Sequence, residues 1–588
     1  MFNEMLTQPG SDIGTEKRLR LTNRIFSIGI ILLAFALRLH NLGAASLWYD
    51  ELLQLDIAQG PLGQIWSQLE QHAAMPFDYY LLYGWIKLGH QEAWVRFLPL
   101  FFGTLAVPLI YVLAARLFNR TVGYLAAILL AWSSFAINYS QESRPYALLM
   151  LLVMASSLGL WQAYKTGHKR YWLLALVGLM GAVLTHYFAL FMLVPFGLWV
   201  AGQQLYHLKS PRFWQRTAYF AGSVFILIVI LLLTGHLRRL YNVSFSFSKV
   251  VYQPEALTLP AAEKPNRGAG PPQELSFFRE RVLMPFGSGN ELDLLIYNAY
   301  LLAAVLALAW PSQRRRTALL YMLSWFVLPT IMIYLFLVQR GTFFAVRYIL
   351  YTLPAYLILV AYGIERLFIR LGARFLRLGS SFRWATLPYM LLTSLIFLML
   401  VPLVLAEVDE LITYYATDSR EDWRAVGQLL RDNARPDDAV IAVKAEPAIN
   451  WYYPPARSAY GAFSHSQAVW DAMEQHQRRW FVLSSYSFKR DQGLRDWLQQ
   501  QQAVTIAIDR RVVVHFQQEG LTAEEMLALV RTFALPQKSL TYAVLADQFE
   551  AVGDFETSRV FYQRAVELAD GRTQHTAYQA RLAVAVSP

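Results

Sequence analysis

Apolar runs of roughly 17 to 25 residues, each long enough for a helix to cross a bilayer core, recur along the chain from Ile25 to Leu405. The pattern predicts about eleven spans, near 25–40, 96–118, 121–137, 146–164, 171–186, 187–205, 218–235, 291–310, 317–338, 348–368 and 385–405. Divisions within 121–205 are the least marked. The polar stretches between spans are 41–95, 138–145, the turn at His186, 236–290, 339–347 and a tail from 406, alternating with shorter basic loops. In the first of these, Leu52–Gly60 and Gly63–Leu69 alternate apolar and polar residues in the manner of helices lying on a membrane surface. The 236–290 stretch carries Pro254, Pro260, Pro265, Gly268, Gly270, Pro271 and Pro272, which predicts an irregular flap, and its length suits a substrate cover.

Hydropathy falls after Glu407. Asp422–Asn433 reads as a helix, Ala439–Ala445 and Trp480–Ser485 as strands, Gly493–Gln501 as a helix, and Val504–Ile508 and Arg511–Phe516 as strands, predicting a small α/β domain. Leu545–Leu568 resembles one tetratricopeptide unit, with Gly553 at the turn and Ala565 in the packed second helix. A single unit cannot bury its own face, so a hairpin resting on the preceding domain is favoured over a dedicated partner-binding array. The expected organisation is a cytoplasmic segment 1–24, a transmembrane catalytic domain 25–406 with external loops 41–95 and 236–290, an α/β domain 407–520 and a helical tail 521–588.

Composition sharpens this picture. Of 588 residues, 56% are hydrophobic and 16% charged, and the formal net charge is +11. The basic residues are not gathered on one folded face, which argues against a nucleic-acid partner. They punctuate the spans: Lys17, Arg18, Arg20 and Arg24 precede the first, and others fall on every second loop at 116–120, 165–170, 209–216, 314–316 and 366–383. By the positive-inside rule those loops are cytoplasmic. The N-terminus is then inside, and an odd number of spans puts the tail outside the cytoplasm of a multi-pass inner-membrane protein. No small-residue cleavage site follows the first apolar run, which reads as a retained helix. The chain has no cysteine, so disulfides are excluded.

The chemistry is expected in the external loops. Asp50 and Glu51 follow the first span directly, and ionisable groups at that depth are functional candidates; an exposed helix start is the competing reading. A lipid-linked sugar phosphate has a leaving group of low basicity that needs cations and no proton donor, whereas the acceptor hydroxyl needs a base. Asp50 fits that base, and Glu51 a secondary orienting role. Arg38 ends the first span, where snorkelling to headgroups competes with function. Glu142 and Arg144 fit either a local surface pair or a site. His186 fits a satisfied interfacial histidine or a phosphate contact, and Arg347, with Arg340, an interface anchor or a second phosphate contact. No sequence pattern marks a metal site; no cofactor is expected to be required, and a divalent metal is left open.

The ordered set Arg38, Asp50-Glu51, His72 to Leu82 with Pro76 and Tyr79-Tyr80, Arg96 to Gly103, Ala114 to Phe118 and Ser140-Gln-Glu-Ser-Arg-Pro-Tyr146-Ala147 is similar to the GT-C glycosyltransferases of the protein O-mannosyltransferase and aminoarabinose-transferase superfamily. Arg347 to Pro354, Asp422-Trp423-Arg424 and Pro436-Asp437-Asp438 add to the resemblance, which spans about residues 25 to 460. It implies a GT-C fold and transfer of a sugar from a polyprenyl-phosphate donor to a hydroxyl of protein, lipid or polysaccharide on the extracytoplasmic face. Asp50 corresponds to the family's catalytic acidic residue of the first external loop, Glu51 to its frequent acidic neighbour, and Arg38 and Arg96 to flanking basic positions. Glu142, Arg144 and Tyr146 lie in the motif after the third span. The chain departs from the family at His72 to Pro76, where three residues intervene in place of one. Mannose is the family's commonest sugar. A transporter or flippase of lipid-linked sugars, a polymerase of them and a non-catalytic scaffold binding a protein through the tail are the alternatives; no internal duplication of the transporter kind is present.

Overall fold

The computed structural model describes residues 13–69, 74–206, 210–236, 291–306, 313–339, 344–379, 401, 405, 408–415, 421–443, 445–454, 458–460, 467–484, 492–569 and 572–586. His72, Arg340, residues 237–290 of the expected flap and all but Val401 and Leu405 of the 385–405 run lie outside them. The described residues form two compact units. One holds those up to Leu42 and from Pro61 to Asp418; the other holds Gly43–Gly60 and those from Ser419 onward.

The first unit is helical. Among the described residues seven helices are long and apolar enough to cross a membrane, or eight if one bent pair counts as a single span. That pair is Arg120–Trp132 and Ser134–Ser140, bent by 59°, where the sequence pattern predicts one continuous span. The break has a local cause: the Ser133 side chain accepts the Ala136 N–H at 3.3 Å and starts a new helix. The helix Lys169–Thr185 has 17 residues. It closes tightly on Tyr146–Thr166, where a Cβ on Gly159 would come within 2.5 Å of the Ala175 nitrogen. Ser156 Oγ donates to the Ala175 carbonyl at 2.8 Å across the same contact. Small residues with a hydroxyl bond are the usual means of holding helices together in lipid. Pro211–Leu233 leaves Leu232 59% and Leu233 83% exposed, a surface suited to acyl chains.

The second unit is built on a five-stranded sheet of order β2-β1-β3-β5-β4, with β1 Ala439–Val443, β2 Ser458–Tyr460, β3 Arg478–Ser484, β4 Val504–Ala507 and β5 Val512–Gln518. β1 runs parallel to β2 and β3, and β5 antiparallel to β3 and β4. β1 and β3 are buried at every position, so they read as unbroken apolar runs. Helices Ser539–Ala551 and Phe555–Glu567 form a hairpin turned at Gly553, whose φ is 87°. Its first helix closes the β4 edge: the Gln548 amide accepts the Thr505 N–H and donates to the Thr505 carbonyl, both at 2.8 Å. Covering an edge strand in this way removes a template for unwanted pairing.

β5 buries His515, 5% exposed, with Nδ1 3.1 Å from Thr505 Oγ1. Burial holds its pKa down to about 4 against an ordinary 6.5. A depressed folded pKa gives stability that is present above the unfolded value and is lost as pH falls from about 6.5 toward 4, amounting to about 3 kcal/mol. Glu421 and Asp509, raised chiefly by burial, act in the opposite sense and favour the fold as they protonate. His515→Gln removes only the first effect. The acid-side loss of thermal stability between about pH 7 and pH 4 should therefore shrink in that variant, by thermal melts of the detergent-solubilised protein.

Candidate active site

Asp50 and Glu51 occupy the first turn of the helix Tyr49–Gln59. Residues of the tail hold the segment leading into it. Arg424 donates to the carbonyls of Ala44 at 3.2 Å and Gly43 at 3.1 Å, and the Arg424 N–H donates to Ser46 Oγ at 3.3 Å. The Tyr452 hydroxyl accepts the Leu47 N–H at 2.9 Å. Glu421 accepts both the Tyr49 N–H and the Trp423 indole N–H at 2.9 Å. The Asp422-Trp423-Arg424 stretch thus stands at the head of the helix Trp423–Asn433, capped by Asp422 at 3.1 Å from the Ala425 nitrogen, and clamps the turn that carries the two acids.

The two carboxylates then differ. Glu51 is fully buried and its Oε2 accepts the Trp48 N–H at 3.2 Å, closing its own helix start. Asp50 is half-buried. Tyr49 beside it is pushed up to about 12, by burial first and then by Glu446, Asp50, Glu421 and Asp56, so its phenol stays a neutral donor. Leu52, Leu55 and Ile57 are buried in a helix that packs against Glu446–Tyr452. The apolar face for which the sequence predicts a membrane surface is taken up by protein.

In the first unit Arg38 and Arg96 are both fully buried. Arg38 donates to the carbonyls of Ala34 at 3.1 Å, Ala131 at 3.0 Å and Leu130 at 3.0 Å, and from Nε to Ser140 Oγ at 3.3 Å. Two of those carbonyls end the helix Arg120–Trp132, where a cation also meets the negative end of the helix dipole. The guanidinium therefore braces the bend and does not snorkel. Gly103 makes room for it: a Cβ there would meet Ser140 Oγ at 2.1 Å and Arg38 Nε at 3.2 Å. Arg96 donates to the Leu42 carbonyl at 3.3 Å, fixing the exit of the first helix. Gln141 donates to the carbonyls of Arg38 at 2.8 Å and His40 at 2.7 Å and accepts the Tyr414 hydroxyl at 2.9 Å.

That bracing presents the loop after Ser140. Glu142 is buried and the Arg144 N–H donates to its carbonyl at 2.7 Å. Arg144, Tyr146, His186 and Arg347 then come together from three distant parts of the chain. The His186 ring lies 6.0 Å from Tyr146 and 6.0 Å from Tyr348, and 5.0 Å from Tyr187. The Arg144 and Arg347 guanidiniums both act on His186 as nearby positive charges, and Arg347 lies 5.7 Å from the Tyr348 ring. His186 Nδ1 accepts the Phe188 N–H at 3.2 Å, which caps the following turn and leaves Nε2 as the N–H of the neutral ring. Arg144, His186, Tyr187, Arg347 and Tyr348 are each only half-buried. Two cations, an imidazole and phenols gather around one half-buried point, a donor set of the kind that suits an oxyanion. Among the described residues no group of three or more His, Asp or Glu side chains is placed to hold a metal ion.

Sequence reasoning gave no role to Gln141, Glu421 and Tyr452, whose bonds join distant parts of the chain and signal nothing by pattern; Tyr348 was legible only as the neighbour of Arg347. Residues 71–234 match the family model described as dolichyl-phosphate-mannose-protein mannosyltransferase. No curated protein sequence matches. The fold is similar to that of ArnT from Cupriavidus metallidurans in the apo state, with a TM-score of 0.53 at 13% identity, covering 86% of this chain and 99% of that one. The same protein bound to undecaprenyl phosphate gives a TM-score of 0.52 at 13% identity, covering 84% and 98%. The fold is therefore ArnT-like over most of the chain. With seven described helices long and apolar enough to cross a membrane, the chain reads as a multi-pass membrane protein.

Proposed function

We propose that the chain is an inverting glycosyltransferase that moves a sugar, mannose-like by the family it matches, from a polyprenyl phosphate to a hydroxyl. The observation that carries this reading is the convergence of Arg144, Tyr146, His186 and Arg347 on one half-buried point, an arrangement that suits the phosphate of a lipid donor. The similar ArnT was crystallised with undecaprenyl phosphate, a ligand of the same chemistry. In the proposed reaction the acceptor oxygen attacks the anomeric carbon and the bond from that carbon to the phosphate oxygen breaks. The phosphate leaves with the electron pair, held by Arg144 and Arg347, and Asp50 takes the hydroxyl proton. Arg38 and Arg96 serve as positioning residues, and Glu51 fixes the turn that carries Asp50. The basic loops face the cytoplasm by the positive-inside rule, so the reaction belongs to the opposite face together with the α/β tail. No cofactor takes part in these steps.

The test is transfer by purified, reconstituted protein from a panel of radiolabelled polyprenyl-phosphate sugars to a crude envelope acceptor fraction. Arg347→Gln should raise the donor KM by roughly 10- to 100-fold, the worth of one charged hydrogen bond, with a smaller change in kcat. Wild-type protein that binds polyprenyl phosphates and transfers from none of the donors would overturn the reading in favour of a transporter.

A further inference from the structure

A cavity of about 730 Å³ opens in the first unit among Trp161, Tyr164, Trp199, Arg216 and Tyr321, with Lys165 at its margin. Its volume is that of a small-molecule site. Tyr146 and Tyr164 lie on one helix, Tyr146–Thr166, so at 1.5 Å per residue the cavity stands roughly 27 Å along the bundle from the Arg144 cluster. That is close to the thickness of a hydrocarbon core. The cavity therefore belongs to the opposite membrane face from the candidate transfer site.

Its lining is selective. The charged groups are Lys165 and Arg216, no carboxylate takes part, and the remaining polar side chains are neutral. Trp161 and Trp199 are 6% and 9% exposed, their rings 5.3 Å apart. Neither indole N–H has an acceptor among the described residues. Both nitrogens have almost no accessible surface, so the rings serve as apolar walls and the charge in the cavity is that of Lys165 and Arg216. Arg216 is held in place by donating to the Tyr164 carbonyl. At the mouth, Leu198 and Leu320 are 57% and 56% exposed, apolar surface that an acyl chain would cover.

We infer that this cavity binds the phosphate of an anionic phospholipid from the leaflet on the basic-loop side, a site separate from the one that handles the sugar donor. Arg216 and Lys165 take the phosphate oxygens, the tryptophan rings wall the site, and the aliphatic rim takes the first carbons of a chain.

The test is native mass spectrometry of the full-length, delipidated protein titrated with phosphatidylglycerol, with phosphatidylcholine and with inorganic phosphate. One phosphatidylglycerol should be retained per chain, at least tenfold more tightly than phosphatidylcholine, and inorganic phosphate should not displace it at equal concentration. Arg216→Gln should weaken retention by tenfold or more. Lys165→Gln keeps the Arg216 bond to Tyr164, and should weaken it several-fold even if Arg216→Gln misfolds. Equal retention of the two lipids, displacement by inorganic phosphate, or unchanged retention in Lys165→Gln would overturn the inference.

Discussion

Asp50→Asn is expected to lower kcat for sugar transfer by roughly 10²- to 10⁴-fold, the usual contribution of a general base, and to leave the fold in place. The substitution keeps the shape of the side chain and removes one charge from the first turn of Tyr49–Gln59, which costs at most about 1 kcal/mol of helix-dipole interaction. The tail still holds the turn through Arg424, Tyr452 and Glu421. Glu51→Gln is the matched control, because a neutral amide oxygen can still accept the Trp48 N–H that Glu51 now accepts. Its transfer rate should fall far less. Initial rates with circular dichroism on both variants decide the matter: equal losses in the two would remove Asp50 from its role, and an unfolded Asp50→Asn would make it structural.

Arg38→Ala is expected to destabilise the membrane unit by roughly 3–5 kcal/mol, since it strands buried carbonyls and opens a cavity together. The acceptors left behind would be those of Leu130 and Ala131 and the hydroxyl of Ser140. Gly103→Ala should act on the same junction from the other side by forcing Ser140 away, at a cost of about 1–3 kcal/mol. Thermal unfolding in detergent reads both. If Arg38 instead touches the donor, Arg38→Gln will keep its melting temperature and raise the donor KM, an outcome that would return Arg38 to the binding residues.

The residues themselves explain which parts of this arrangement were legible beforehand. The buried strands β1 and β3 read as apolar runs because both of their faces are covered, and the Trp423–Asn433 helix was legible within Asp422–Asn433, with Asp422 proving to be its cap. β2 has only three residues, Ser458–Tyr460, too few for any alternation to show. The acidic pair at 50 and 51 stood out because charge beside an apolar span demands a reason, and the run from Ser140 to Tyr146 through its resemblance to a family motif. Neighbourhood was not legible. Nothing in the local pattern says that His186 meets Tyr146 and Arg347, or that Arg38 spends its donors on carbonyls about 90 residues away. Pairings of that kind are set by packing, which a one-dimensional period does not encode.

The bond from the Leu47 N–H to the Tyr452 hydroxyl joins residues 405 positions apart, and this has a consequence for how the protein is made. At roughly 5–20 residues per second, some 20–80 s separate the synthesis of the acidic turn from that of the residues that hold it. Throughout that interval the first helices already have lipid and one another, while the turn bearing Asp50 still lacks Glu421, Arg424 and Tyr452. A nascent or prematurely terminated chain would thus insert with its acidic turn unheld, and under the proposed mechanism the order of synthesis itself keeps an unfinished chain silent.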